Sequence, residues 1–311
     1  MKRKSKKKDF GKMIITVLVL FAVFMYNEFI LENDNKSLDE DTSDVLESDE
    51  SSVQLKVDGN FNVYYFNVGQ ADSILIENNG SYMLIDAGNN ADGKKLVNYF
   101  NDMGIEKFDY VIATHAHEDH IGGMDNIINN FEVDKFYMPD VVTTSKTFED
   151  VIIALEDNKV GLTTPNIGDT FTFGGCYFTV LYLSDDDSDL NDTSIVVRGV
   201  YGDTSFLFMG DATGNAEATM LNKTIDSDVL KVGHHGSRYS STLDFLNKVT
   251  PEYAIVSVGV GNSYEHPHDE ALTRLENIGA KVYRTDNDGT ILVTSDGENI
   301  SVQTLDVNLN G

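Results

Sequence analysis

The chain has 311 residues, of which 41% are hydrophobic, enough to fill a sizeable core and to exclude wholesale disorder. Its 51 Asp and Glu against 23 Lys and Arg give a formal charge of -28, which repels polyanions unless metal or a local patch offsets it and argues against a general nucleic-acid coating role. A single cysteine, Cys176, cannot close an internal disulfide, and the absence of a Cys/His set at finger spacing excludes a structural zinc finger; Cys176 is expected to be a small buried residue.

Residues 1–12 carry seven Lys or Arg and one Asp and are expected to form a basic cytoplasmic end. Met13 to Tyr26 is an unbroken apolar run that Phe29, Ile30 and Leu31 extend past Asn27 and Glu28. It has no polar face, so it does not read as an amphipathic helix. No small-residue cleavage site and no lipoprotein cysteine lie between Ala22 and Ser37. Residues 13–31 are therefore expected to be an uncleaved transmembrane signal-anchor, about 28 Å long as a helix and so matched to one hydrocarbon core. By the positive-inside tendency, everything after it is exported, making a single-pass protein with an extracytoplasmic domain. Residues 32–58 hold ten acids and few apolar side chains, the composition of an acidic disordered linker.

From residue 59 the chain turns to short β-branched and aromatic runs. FNVYYFNV, ADSILIE and SYMLID predict strands, the last two joined by a hairpin turn at Asn78, Asn79 and Gly80. Leu96, Val97, Phe100 and Met103 lie at helical spacing within 92–103, and Gly104 supplies the stop. FDYVIAT then reads as a buried strand. A second β-rich stretch runs through FTFGG, YFTVLYL, TSIVVRGVYG, DTSFLFMG, DVLKVG and YAIVSVG to a closing hairpin around Asp286 to Gly289, with helices at 119–130, 147–157, 214–222, 242–248 and 269–278. Strands at both ends with interleaved helices predict one layered α/β domain, 59–311, containing two sheets.

All seven histidines stand in clusters. His115, His117, Asp119 and His120 place four metal-ligand side chains within six residues, directly after the strand FDYVIA. FLFMG runs into Asp211, DVLKVG into His234, and YAIVSVG into a loop holding His266 and His268, so apolar strands deliver polar residues just past their carboxyl ends. Acids and imidazoles gathered at one sheet edge call for a cation. His234 is favoured over its neighbour His235 as a ligand because it follows the strand immediately. His266 is expected near the metals as a group that orients substrate or donates a proton, while His268 either caps the helix from Asp269 or is exposed. Asp86 reads as a supporting acid. Ser237, Arg238 and Tyr239 are candidates to bind an anionic substrate.

The pattern His115-x-His117-x-Asp119-His120, with Gly210-Asp211 and the later Gly233-His234-His235-Gly236-Ser237, resembles the metallo-β-lactamase superfamily over most of 59–311. Val68 to Ser73, Leu84 to Gly88, Leu230 to Ser237 with its Lys231, and Ser257 to His268 look like the branch formed by the hydrolase domain of the ComEC/Rec2 DNA-uptake proteins and their stand-alone relatives, which include secreted phosphodiesterases. The resemblance implies a four-layer αββα sandwich with a two-zinc hydrolytic site, manganese being the alternative. By that resemblance His115 and His117 hold one metal, Asp119, His120 and His234 the other, and Asp211 bridges them. A further family histidine, normally between the first cluster and the bridging Asp, is absent; Asn191, Asp192 and Ser194 occupy its neighbourhood.

The expected function is that of a membrane-anchored, extracytoplasmic metal-dependent hydrolase, a phosphoesterase in which the metal pair makes hydroxide available near neutrality and Asp119 orients it. Its partners would be the membrane, through the N-terminal helix, and an anionic or zwitterionic phosphoester. A DNA-uptake-related nuclease and a catalytically impaired metal-binding module are the alternatives.

Overall fold

The computed structural model describes residues 59–307 and 309. The expected basic end, membrane anchor and acidic linker lie outside these residues, and among the described residues no helix is long and apolar enough to cross a membrane.

The chain builds β1 (Phe61–Tyr65), β2 (Ser73–Asn78), β3 (Ser81–Ala87), β4 (Lys107–Ile112), β5 (Glu132–Tyr137) and β6 (Leu162–Thr163), then β7 (Thr170–Phe173), β8 (Cys176–Tyr182), β9 (Val196–Tyr201), β10 (Thr204–Phe208), β11 (Val229–Lys231), β12 (Tyr253–Val256) and β13 (Lys281–Arg284), and closes with β14 (Thr290–Ser295) and β15 (Ile300–Leu305). One sheet has the order β15, β14, β1, β2, β3, β4, β5, β6, and the other β13, β12, β11, β10, β9, β8, β7. Both contain an antiparallel part and a parallel run: β3 to β6 in the first sheet, β10 to β13 in the second.

Period-2 alternation sorts the side chains into layers. Phe206 and Phe208 of β10 and Val229 of β11 meet Phe61, Val63, Ile74 and Ile85 of the first sheet in the inter-sheet core, where Cys176 is also buried. Leu207 and Leu230 face the other way, onto Ala216 and Met220 of α5 (Gly214–Met220), Phe245 and Leu246 of α6 (Leu243–Val249) and Leu275 of α7 (Asp269–Asn277). On the outer face of the first sheet, Phe100 of α1 (Gly93–Asp102) contacts Phe66, Phe108 and Phe131 at ring separations of 5.7, 5.5 and 6.2 Å. Helices thus cover the outside of both sheets.

Several expectations need correction. Residues 119–130 form two helices, α2 (Glu118–Ile121) and α3 (Met124–Asn130), broken at Gly122 and Gly123. A Cβ on Gly122 would lie 2.2 Å from backbone atoms of Asn89 and Asn90, so this break is where the histidine-bearing segment presses against the turn after β3. Asp286 to Gly289 is not a hairpin: Thr285–Asp288 is a one-turn helix, α8, carrying the chain from the second sheet back to the first, and the hairpin turn lies between β14 and β15. The helix expected at 147–157 is α4 (Lys146–Asn158), with Ser145 Oγ accepting from Phe148 N as its cap.

Candidate metal centre

The parallel strands of both sheets run toward one edge, and their carboxyl ends carry the polar residues. At the end of β3, Asp86 takes a positive φ of 59° that turns its carboxylate under the loop after β4. There it accepts hydrogen bonds from Thr114 N at 2.8 Å and Thr114 Oγ1 at 2.7 Å, and lies 2.7 Å from His120 Nδ1. A carboxylate can only accept, so His120 Nδ1–H donates, and the opposite nitrogen, Nε2, faces outward into the site. His235 is held in the same way: its Nδ1–H donates to the Ser257 carbonyl past β12 at 2.9 Å, leaving Nε2 to point inward.

Two carboxylates meet these two imidazoles. Asp211, past β10, places Oδ2 3.3 Å from His120 Nε2 and 3.5 Å from His235 Nε2. Asp119 Oδ2 lies 3.3 Å from His235 Nε2 and 3.9 Å from His120 Nε2. One ligand atom from each of Asp119, His120, Asp211 and His235 lies within 4.8 Å of the others. His115 is buried alongside, with Nε2 4.0 Å from Asp211 Oδ2 and 3.0 Å from His117 Nδ1. Asp211 is the carboxylate that faces both histidine groups.

The electrostatics follow from this crowding. Burial disfavours the charged form of every member, yet Asp211, Asp86 and Asp119 carry His120 well above the ordinary imidazole range. Burial likewise opposes, and Asp211, Asp72 and Asp119 overcome, in raising His235 to about 9. Against burial, the His235 and His120 rings hold Asp211 well below the usual carboxylate range, and His120 and His235 do the same for Asp119. His115 is pushed down by burial and by His120. His120 Nε2, His235 Nε2 and Asp211 Oδ1 are buried without a hydrogen-bond partner. Two inward-facing imidazole Nε2 atoms, which bind metal once deprotonated, and two carboxylates form a ligand set that fits a divalent metal such as zinc, manganese or iron.

The placement reverses the expected order of His234 and His235. His234, His235 and Gly236 have consecutive positive φ values of 50°, 52° and 80°, so the chain coils left-handedly after β11 and brings the second histidine into the group of four. His234 sits instead beside His266, their rings 5.4 Å apart, with Nδ1 buried and unpartnered. His266 is half-buried, its ring 6.4 Å from that of His235 and 4.8 Å from that of His268. Burial and the neighbouring His234 and His235 push its pKa down to about 4. His268 occupies the N-cap position of α7, where its Nδ1 accepts from Arg238 N.

Of the residues expected to bind substrate, Ser237 is buried within its turn, while the Arg238 guanidinium lies on the surface 3.2 Å from Glu270. Tyr239 is exposed. Where the resemblance lacks a histidine, Ser194 Oγ donates to the Asn191 carbonyl at 2.7 Å, accepts from Asp211 N at 3.0 Å and lies 3.4 Å from His115 Nδ1. Sequence reasoning gave no role to Asp72 or Lys231, which form a fully buried ion pair of 2.6 Å behind the group of four. The available signal was a lysine at the end of an otherwise apolar strand.

A family model described as Metallo-beta-lactamase superfamily matches residues 66–260. The chain is 33% identical over 201 residues to ComE operon protein 3 of Bacillus subtilis, covering 64% of this chain and 26% of that protein. It is 29% identical over 234 residues to Competence protein ComA of Neisseria gonorrhoeae, covering 74% and 31%, and 26% identical over 242 residues to Recombination protein 2 of Haemophilus influenzae, covering 76% and 29%. The chain therefore matches under a third of each relative's length. Among solved structures, the metallo-beta-lactamase fold protein YhfI from Bacillus subtilis aligns with a TM-score of 0.55 at 14% identity, covering 76% of this chain and 100% of that one. CmlA, a diiron beta-hydroxylase from Streptomyces venezuelae, aligns with a TM-score of 0.53 at 13% identity, covering 80% and 55%. These two likenesses concern the fold.

Proposed function

Because the chain belongs to the metallo-β-lactamase superfamily, in the branch of ComE operon protein 3 and Recombination protein 2, we propose that it is a metal-dependent hydrolase acting on phosphoesters. The observation that carries this reading is the convergence of the buried, unpartnered His120 Nε2, His235 Nε2 and Asp211 Oδ1 beside Asp119. In this reading Asp119, His120 and His235 hold one cation, His115 and His117 a second, and Asp211 serves both. Two divalent ions, zinc or manganese, would supply the positive charge that an anionic ester needs and would acidify water.

The protein groups divide the remaining work by position. Asp119 is the member of the group of four that is not buried, its side chain 28% exposed, so it is placed to accept a hydrogen bond from the attacking water and orient it. Asp86 and the Ser257 carbonyl keep the Nδ1 protons of His120 and His235 in place, so that Nε2 is the nitrogen each ring turns to a metal. His266, with its pKa near 4, is a neutral acceptor at neutral pH; it becomes a proton donor to the leaving group only when an anionic substrate beside it raises that value. Arg238 can engage substrate by exchanging Glu270 for a substrate oxygen, and Ser237 shapes the turn that presents it.

We further place this domain outside the cytoplasmic membrane, on the strength of the basic residues 1–12 ahead of the apolar run 13–31. A cell-envelope polymer bearing cationic or zwitterionic groups suits the acidic chain as substrate. A nuclease is the second reading, favoured by the relative named Competence protein ComA. Turnover of bis-p-nitrophenyl phosphate, p-nitrophenylphosphorylcholine, single-stranded DNA and nitrocefin, each with and without a chelator, tests the proposal. Chelator-sensitive phosphoester hydrolysis with nitrocefin untouched is expected. Metal binding without turnover of any of the four would leave the impaired metal-binding module standing.

A further inference from the structure

Lys231 occupies a position that the sheet reserves for apolar side chains. It shares the inter-sheet face of β11 with Val229, two residues earlier, and is completely buried. Its ammonium crosses to the other sheet, 2.6 Å from Asp72 Oδ2 in the loop just before β2, and also donates to the Val232 carbonyl at 3.1 Å. A buried ion pair of this kind is weak evidence for stability, since desolvating both charges offsets most of their attraction and an apolar pair of similar volume does as well or better. Its position gives it another use.

Asp72 touches the turn that carries Asp119 and His120, the turn past Asp86, and the turn that carries His235. Its N–H donates to the Asp119 carbonyl at 3.0 Å, and its own carbonyl accepts from Gly88 N, past Asp86, at 2.8 Å. Its Oδ1, buried with no hydrogen-bond partner, lies 3.5 Å from His235 Nδ1, and Oδ2 lies 4.0 Å from His120 Nδ1. The first sheet's ligand turn and the second sheet's left-handed histidine turn thus meet through one carboxylate, and Lys231 fastens that carboxylate to the strand from which His235 departs.

We propose that the Asp72–Lys231 pair is a positioning clamp that sets the spacing between the Asp119–His120 turn and His235, and so fixes the metal-ligand geometry across the two sheets. The inference rests on the metal-dependent reading of the site. In the test, the full chain is titrated with zinc alone against a chromophoric chelator, and the metal-free proteins are melted in parallel, for wild type, Asp72→Asn, Lys231→Met and the double variant. Each single substitution strands a buried charge or polar group and lowers the melting temperature; the double substitution strands no charge and regains most of that loss. Zinc affinity falls roughly 10–100-fold in all three variants, the range for groups that orient ligands, and is not rescued in the double variant. Recovered stability without recovered affinity is the signature of positioning. A double variant with wild-type zinc affinity, or single variants that hold zinc as wild type does, would overturn the clamp while leaving the metal reading intact. A wild-type chain that binds no zinc would overturn both.

Discussion

His234 and His235 differ by one position in sequence, yet their backbone turn sends only the second toward Asp119 and Asp211. Replacing His235 with Ala should therefore remove metal and phosphoester turnover as severely as His120→Ala, whereas His234→Ala should keep the metal and lose about tenfold or less, the lower end for groups outside the ligand set. Metal content measured beside turnover for the three variants decides this; a His235→Ala protein that keeps both would restore His234 as the ligand. Asp86 acts one bond further back, through His120 Nδ1. Asp86→Asn should weaken metal binding by about 10–100-fold while leaving some turnover at saturating metal. His266→Ala should slow esters with poor leaving groups more than p-nitrophenyl esters, and equal losses would leave it as an orienting group only.

The turn after β11 is a short element on which the centre depends. Gly236 has a φ of 80°, and a Cβ there would lie 2.6 Å from Pro267 Cβ, so Gly236→Ala combines backbone strain with a clash against the His266 loop. A loss of about 1–3 kcal/mol is expected in thermal unfolding, with weaker metal binding because His235 moves with the turn. The long apolar strands, the α1 spacing and the clustering of ligands at strand ends were legible in the sequence because burial imposes the period and the carboxyl edge collects the loops. Strand β5 escaped notice because Glu132, Asp134 and Lys135 are exposed and interrupt its apolar pattern. The order of His234 and His235 was hidden because adjacency to a strand says nothing about three successive left-handed residues. The pairing of Lys231 with Asp72 has no signature in the sequence because it joins different sheets and is visible only in three dimensions.

At the scale of the whole molecule, the site concentrates negative charge that two imidazoles offset by holding protons. Metal binding must expel the Nε2 protons of His120, raised well above its ordinary 6.5, and of His235, raised to about 9. Affinity should therefore climb as pH rises from neutrality toward 9, with proton release detectable by calorimetry in buffers of differing ionisation enthalpy. For the metal-free protein the sign is opposite. The stability these raised histidines contribute is fully present below their unfolded value near 6.5 and is lost as pH rises through the folded values, so its melting temperature should fall on the alkaline side, where metal-loaded protein gains. Protease added to intact, wall-stripped cells should remove the domain if residues 13–31 anchor it outside, and complete protection would reverse that topology. The central claim, a divalent-metal centre spanned by Asp211, is tested most directly by elemental analysis of the full chain and of Asp211→Ala after reconstitution with zinc and removal of free metal. Wild type should retain about two equivalents and the variant should lose most of both, since one carboxylate faces both histidine groups. A wild-type chain without transition metal, or an Asp211→Ala chain with undiminished content, would contradict the account.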